Sequence, residues 1–278
     1  MTKLFIGMPV YNGERFIAVA LDSLSRQNYK DWKLLISDNC SSDATETICK
    51  DFAGKDSRIS YVRQPENLGA TANFKFLLEQ TDSEYFMWAS ADDVWDPDFL
   101  NVCIDNLEKN GHVGMSFSGI INIDSYGRIV REYPTLPWLS GSAGYKTIYR
   151  YLKDPEIMGK ANLIYSLYRL EICRAAMTAS PFEDVWGSDM CFVLAAIARG
   201  GIVIDQRVLF QKRIVREDDE PKLVNPINVK KPSRGIFPPE EFLSYFRANL
   251  NAVRGTQFFF LTYAVMMFRR LVASLRVW

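Results

Sequence analysis

The chain is short of the residues that several common chemistries require. It has one histidine, His112, in the turn "KNGHVG", so neither a Ser-His-Asp triad nor a multi-histidine metal centre is easily assembled. His112 itself reads as a surface turn residue. The five cysteines, Cys40, Cys49, Cys103, Cys173 and Cys191, are odd in number and contain no C-x-x-C pair. That pattern argues against a disulfide framework and against structural zinc, and it fits reduced thiols in a cytosolic compartment. Neither a P-loop nor a G-x-G-x-x-G occurs, so a Walker-type phosphate cradle and a dinucleotide fingerprint both lack support. Charge of either sign is not in excess, with 33 basic and 33 acidic residues; no overall field invites nucleic acid, and a charged partner must be recognised locally. The start, "MTKLFIGMPVYNG", lacks a long apolar run and is expected to form a first strand and turn rather than a signal peptide.

What is present is a full core. Of 278 residues, 48% are apolar and 13% aromatic, enough to bury one large domain. From residue 3 to about 110, short apolar runs alternate with segments of helical period, the pattern of β/α units around a parallel sheet. Strands are expected at "KLFIGMPV", "WKLLISD", "ISYVRQ" and "EYFMWAS". Helices are expected at residues 14–26, where Phe16, Ile17, Ala20, Leu21 and Leu24 share a face, after Asp43 as N-cap with Glu46 behind it, and at "GATANFKFLLEQ". The second half is less regular. "GMSFSGIINID" and "NLIYSLYRL" have strand character, residues 134–162 read as loop with short helices, and "DMCFVLAAIARG" is a helix closed by Gly200 and Gly201. "GIVIDQRVLFQKRIV" reads as two short strands, and the charged, Pro-rich 216–238 as a linker or mobile loop before a helical region, 239–278. No internal repeat is visible.

In an open parallel sheet, ligands bind beyond the carboxyl ends of the strands, where loops and helix N-termini converge. Polar residues follow four successive strands here: "PVYNGE", "SDNCSSD", "QPENLG" and "SADDVWDP". Taken singly, each suits an ordinary turn, since Asn, Asp, Ser and Gly are what turns prefer. The last is the most pointed. In "MWASADDVWDPDF" the acids Asp92, Asp93, Asp96 and Asp98 end a strongly apolar run with no Lys or Arg among them. Asp96 with Pro97 suits the start of the next helix; Asp93 does not.

The order and spacing of these loops resemble the family 2 glycosyltransferases of GT-A fold, most closely over residues 4–110. The resemblance rests on the Pro-x-Tyr-Asn turn at Pro9, Tyr11 and Asn12, the register Ser23, Gln27, Tyr29 that follows it, "SDNCSSD" in place of the family's Asp-Asp-Gly-Ser-x-Asp, and "ENLGATANF" in place of its Asn-x-Gly loop. It implies a single α/β GT-A domain over 1–215, with a nucleotide-sugar-binding half (1–110), an acceptor-binding half (111–215) and a C-terminal helical appendage. By the same resemblance Asp38 contacts the nucleotide base, with Pro9, Tyr11, Asn12, Glu14, Asn67, Gly69 and Asp92 around the donor. Asn39 and Cys40 replace the family's second Asp and its Gly. The family's Asp-x-Asp-Asp metal motif appears as Ser90-Ala91-Asp92-Asp93, which makes Asp93 the implied ligand of a divalent metal, manganese or magnesium, at the donor's diphosphate, with Asp92 beside it binding either the metal or the donor's ribose and sugar hydroxyls. The first acid of that motif is replaced by Ser90. The implied catalytic base, which takes the acceptor's proton, is Asp189 at the start of the helix in "VWGSDMCFVLAAIARGG", with Ser188 in place of an acidic neighbour and Glu183 and Asp184 as fallbacks. Where the family commonly has a histidine, this chain has "LFQKRIVRED", which offers Lys212, Arg213 or Arg216 to the diphosphate.

The implied activity is inverting transfer of a sugar from a nucleotide-diphosphate sugar to a saccharide or lipid-linked acceptor, building a cell-surface polysaccharide. Two rival readings are a metal-dependent nucleotidyltransferase and an inactive nucleotide-sugar-binding scaffold. Trp138, Tyr145, Tyr149, Tyr151 and Trp186 offer flat faces for acceptor sugars or, equally, packing. In the tail, the apolar run from Phe258 to Phe268 would span about 16 Å as a helix, half a bilayer core. It either packs on this domain or a partner copy, or lies in a membrane interface with Arg254, Arg269, Arg270 and Arg276 at headgroup level. The expected location is cytoplasmic, peripheral to the membrane in the latter case.

Overall fold

A computed structural model describes residues 2–134, 136–153, 159–182, 186–214 and 239–275. The fallback carboxylates Glu183 and Asp184, Arg216, Arg276 and the 216–238 segment lie outside the described residues.

The expected alternation is present: β1 (Leu4–Val10), α1 (Ile17–Ser25), β2 (Trp32–Asp38), α2 (Thr45–Lys55), β3 (Ile59–Arg63), α3 (Ala70–Glu79) and β4 (Tyr85–Trp88). The sheet continues through β5 (Val94–Trp95), α4 (Phe99–Lys109), β6 (Met115–Ile123), β7 (Ile129–Glu132), α5 (Tyr145–Lys153), β8 (Leu167–Arg169), α6 (Leu170–Ala179), α7 (Ser188–Gly200) and β9 (Ile202–Arg213), before α8 (Pro239–Ala252) and α9 (Phe259–Leu275). One nine-stranded sheet runs in the order β3-β2-β1-β4-β8-β6-β9-β5, with β7 on β6. Strands β3, β2, β1 and β4 are parallel, β6 and β9 are parallel to each other, and β8 is antiparallel between β4 and β6. The carboxyl ends of β1, β2, β3, β4, β6 and β9 therefore share one edge.

The core sits on both faces of this sheet, as a parallel sheet requires. Strand β4 is buried at every position, and Trp88 is enclosed by Phe74, Phe86, Tyr168, Phe182 and Phe192, with its indole N–H donated to the Phe74 carbonyl. Pro9 is tolerated inside β1 because the β4 pairing has already ended at Gly7 and Trp88, so its missing donor faces no partner there.

Three local expectations are corrected. "NLIYSLYRL" is not one strand: a 3-10 helix covers Lys160–Tyr165 and only Leu167–Arg169 pair. The stretch 202–213 is a single strand of 12 residues, kept continuous by register shifts against β6 near Gly119. The helix after Asp43 begins at Thr45; Asp43 accepts the Thr45 N–H, and Glu46, instead of closing a reciprocal cap, pairs with Lys50 and Arg63.

The tail packs on the body. Tyr245 of α8 is buried, Arg199 of α7 donates to the Ala252 carbonyl at 2.8 Å, and Tyr145 of α5 meets Phe258 edge to face. The opposite side of α9 leaves Phe260, Tyr263, Met267 and Phe268 exposed. Among the described residues no helix is long and apolar enough to cross a membrane.

Candidate active site

The first wall of the cleft joins the loops after β1, β2 and β3. Asn12 takes a left-handed φ of 51°, which lets three consecutive backbone N–H groups point at the second loop: Asn12 donates to Ser41 Oγ, Gly13 to Thr45 Oγ1 and Glu14 to Asp43 Oδ2. The Asn12 and Glu14 side chains accept in return from the Ser42 and Ala44 N–H groups. Tyr11, at the tip, stays exposed.

Asp38, the last residue of β2, is fully buried. One carboxylate oxygen accepts from the Ser41 N–H and hydroxyl; the other accepts from Tyr61 Oη at 2.6 Å and Arg63 Nη1 at 3.2 Å. Burial and then the Asp38 carboxylate raise the Tyr61 pKa, so the phenol remains a donor. Tyr61 and Arg63 were not singled out from sequence. The signal was there, because the parallel register sets Arg63 opposite Asp38 and alternation puts Tyr61 on the same face.

The two departures from the family pattern in this loop have distinct effects. Asn39 ties the second loop to the third, donating to Asn67 Oδ1 at 2.6 Å and accepting the Leu68 N–H at 2.9 Å. Cys40 holds φ of 66°, so the left-handed turn a glycine would make is kept by an L-residue at a steric cost of about 1–3 kcal/mol. Gly69, with φ of 82°, opens α3, and a Cβ there would meet nothing within 4 Å. Backbone conformation, not crowding, calls for glycine.

The second wall is charged. Strand β5 pairs antiparallel with the end of β9, Trp95 opposite Phe210 and Val94 opposite Gln211, and this brings Lys212 and Arg213 onto the Asp92–Asp93 turn. Asp93 is fully buried: Oδ1 accepts the Arg213 N–H at 2.9 Å and Oδ2 accepts from Lys212 Nζ at 3.1 Å. Neither oxygen is left open. Asp92 is the accessible acid, 37% exposed, with Ser90 Oγ donating to Oδ1 and Lys212 Nζ 3.7 Å from that oxygen. Burial pushes the Asp93 carboxyl up to about 7, against the pull of Lys212. Burial works against the Lys212 ammonium as well, but Asp93, Tyr165 and Asp92 outweigh it and raise its pKa, so the lysine is charged. Arg213 spends its guanidinium on the carbonyls of Asp92 and Asp124, over the Phe16 ring. It braces the turn and is itself buried. Tyr165, whose ring lies 5.2 Å from Lys212 Nζ, went unnoticed in sequence because nothing local marks it.

The remaining acids of the turn are structural. Asp96 accepts the Asp98 N–H, and Asp98 accepts from Asn28 Nδ2. Gln27, buried at the end of α1, donates to the Asp96 carbonyl and accepts from the Leu100 N–H.

Helix α7 runs back to the start of β9, so its N-terminus, and Asp189, lie at the carboxyl edge of the sheet. Asp189 is half-buried, accepts the Met190 N–H at 2.8 Å, and burial raises its pKa. Gly187 precedes it at φ of 77°, where a Cβ would meet Tyr245 Cε2 at 2.7 Å. Trp186 lies edge to face on Tyr245 with ring centroids 5.1 Å apart. Of the other aromatics, Tyr151 is core, its hydroxyl donating to the Met190 carbonyl, while Trp138, Tyr145 and Tyr149 are exposed.

Residues 5–174 match the sequence model of the family described as "Glycosyl transferase family 2". The chain is 31% identical over 137 residues to "Putative glycosyltransferase EpsE" of Bacillus subtilis (strain 168), covering 49% of each chain. It is 30% identical over 111 residues to "Putative teichuronic acid biosynthesis glycosyltransferase TuaG" of the same organism, covering 40% of this chain and 44% of that one. It thus spans about half the length of these relatives. Among solved structures, S. aureus TarS 1–349 in complex with UDP superposes over 95% of this chain and 69% of its own, with a TM-score of 0.67 at 15% identity, which establishes the GT-A fold alone. The family match spans well over half of the sequence, and the chain belongs to glycosyl transferase family 2.

Proposed function

We propose that this chain is an inverting glycosyltransferase that moves a sugar from a nucleotide-diphosphate sugar to a hydroxyl of a saccharide or lipid-linked saccharide acceptor in cell-surface polysaccharide synthesis. The observation that carries the reading is the placement, on one sheet edge of a family 2 GT-A fold, of Asp38, Asp92 and Asp189 on three separate elements. The printed names of TuaG and of TarS, solved with UDP and with UDP-GlcNAc, support a polysaccharide product and a nucleotide-sugar donor.

In this reading the first wall, with Tyr11, Asn12, Asn67 and Gly69 around the buried Asp38–Arg63 pair, receives the nucleoside, and Asp92 faces the donor's ribose or sugar. Asp189 accepts the acceptor hydroxyl's proton as that oxygen attacks the anomeric carbon. The bond from the anomeric carbon to the diphosphate breaks on the opposite side, its electron pair leaving with the nucleoside diphosphate, so the configuration inverts. A carboxylate whose pKa is raised by burial is a better proton acceptor at neutral pH than an exposed one. Residues 1–110 serve the donor and 111–215 the acceptor, with Trp138, Tyr149 and Trp186 as stacking faces. The exposed stripe Phe260, Tyr263, Met267 and Phe268, beside exposed Arg254, holds the enzyme at a lipid surface where a lipid-linked acceptor resides.

The divalent metal implied by the family needs a donor set, and the residues present do not fit one. Asp93 is sealed. Asp92 would supply one carboxylate beside an ammonium 3.7 Å away, which repels a dication. No step above is routed through a metal.

A thermal-shift panel of UDP, GDP, dTDP and CDP, with and without manganese, followed by mass-spectrometric detection of transfer from the matching nucleotide sugars, tests the reading. Stabilisation by one nucleotide and transfer lost in Asp189→Asn support it. Turnover of nucleoside triphosphates with pyrophosphate release would show a nucleotidyltransferase; nucleotide binding with no transfer from any donor would show a scaffold.

A further inference from the structure

We infer that Lys212 is a built-in counter-cation for the donor's diphosphate, held where a divalent ion would otherwise neutralise it, so that donor binding proceeds without added metal. The inference rests on the nucleotide-sugar reading above and concerns one charge within it. Its basis is the composition of the charged wall. Ser90 removes one acid from the turn, Asp93 is spent internally, and the end of β9 inserts an ammonium between Asp93 and Asp92, at 3.1 and 3.7 Å. Arg213, the neighbouring cation, has committed its guanidinium to backbone carbonyls. Lys212 has not: its side chain keeps 21% exposure against none for Asp93, and its ammonium is held by Asp93 with the accessible Asp92 3.7 Å away.

The chemistry matches that placement. An ammonium carries three donors on a compact charge; one serves Asp93, and the others can meet diphosphate oxygens. As the anomeric bond breaks, the departing oxygen gains charge, and a fixed cation already in place offsets it without being assembled at the moment of reaction. The lysine keeps its proton throughout, since the acceptor's proton goes to Asp189 and the leaving group departs as the anion.

Isothermal titration of the four nucleoside diphosphates and their monophosphates, in EDTA and in manganese, tests this. Because loss of Lys212 alone would strand Asp93, the comparison uses the neutral pair Asp93→Asn/Lys212→Gln, its folding checked by thermal denaturation, with Lys212→Arg as the conservative variant. The full-length wild type should bind its diphosphate in EDTA about tenfold or more tighter than the matched monophosphate, as one charge-assisted contact to phosphate provides. Manganese should change that by less than about threefold. In the neutral pair the preference should fall to near unity in EDTA while monophosphate affinity holds; Lys212→Arg should retain part of it. Diphosphate binding by wild type only with manganese, or an intact preference in the neutral pair, would overturn the inference while leaving the donor reading in place. Absence of nucleotide binding under every condition would instead sink the donor reading, and this inference with it.

Discussion

The two walls at the sheet's carboxyl edge are held over different spans of the chain. The wall built from the loops after β1, β2 and β3 is laced by many hydrogen bonds, neutral and charged, between residues about 30 positions apart, such as Asn12 with Ser41 and Asn39 with Asn67. The wall at Asp92 and Asp93 is held by the Lys212 ammonium and by the Arg213 backbone N–H, about 120 positions away. A lattice of many short-span bonds gives up little when one member is changed, because its neighbours still bridge the loops. A buried ion pair is brittle, since removing one partner strands the other. On the proposed reading, the difference separates a surface that shapes a base pocket from one that manages phosphate charge.

That contrast can be tested, beginning where neither wall compensates. Asp189→Asn should lower kcat by about 10²–10⁴-fold with little change in Tm. In the wild type, kcat/KM should fall as pH drops through a value above the ordinary aspartate range, because the base must be ionised and burial raises its pKa. An acid limb in the ordinary range, or an unchanged kcat in the variant, would move the base elsewhere. Next, Lys212→Met should destabilise the fold by about 3–5 kcal/mol in denaturant titration, the cost of an unpaired buried acid. Asp93→Asn/Lys212→Gln should recover most of it; equal losses in both would show that packing, not charge, governs this wall.

On the first wall, Asn39→Ala should cost about 0.5–1.5 kcal/mol by removing its bonds to Asn67 and the Leu68 N–H, and should weaken nucleotide binding more than it alters kcat. The smallest effect is expected at Cys40. Glycine there should leave stability within about 0.5 kcal/mol of wild type, because relief of the left-handed turn and added chain entropy nearly cancel, whereas Cys40→Val should cost about 1–3 kcal/mol. Reversed signs would mean that the thiol contact with Arg63, at 3.6 Å, matters more than backbone strain.

The same contrast governs what could be read in advance. The β/α alternation was legible because each helix and strand carries its own period, and the first wall followed because its partners lie in consecutive loops. The second wall depends on the two-residue strand Val94–Trp95, too short for any periodicity. That pairing seals Asp93 against Arg213 and leaves Asp92 in the open, a division between adjacent aspartates that the spelling Asp-Asp cannot express. Asp96, whose place before a helix suited a turn role, does sit just outside α4, yet its tie to Gln27, just past α1, crosses 69 positions. Likewise "NLIYSLYRL" has strand composition throughout, but Tyr168 donates to the Leu163 and Ile164 carbonyls, and a tight turn takes the first half of the segment out of the sheet.

The Tyr245 ring resting on Gly187 makes the tail a lever. Asp189 is two residues beyond that glycine and α8 bears directly on it, so a load applied along α8 and α9, by a surface or by a bound chain, is transmitted to the turn that aims the carboxylate. On the proposed reading, anchoring and proton abstraction then belong to one mechanical unit, and removal of α8 and α9 should free the turn at Gly187 that precedes Asp189.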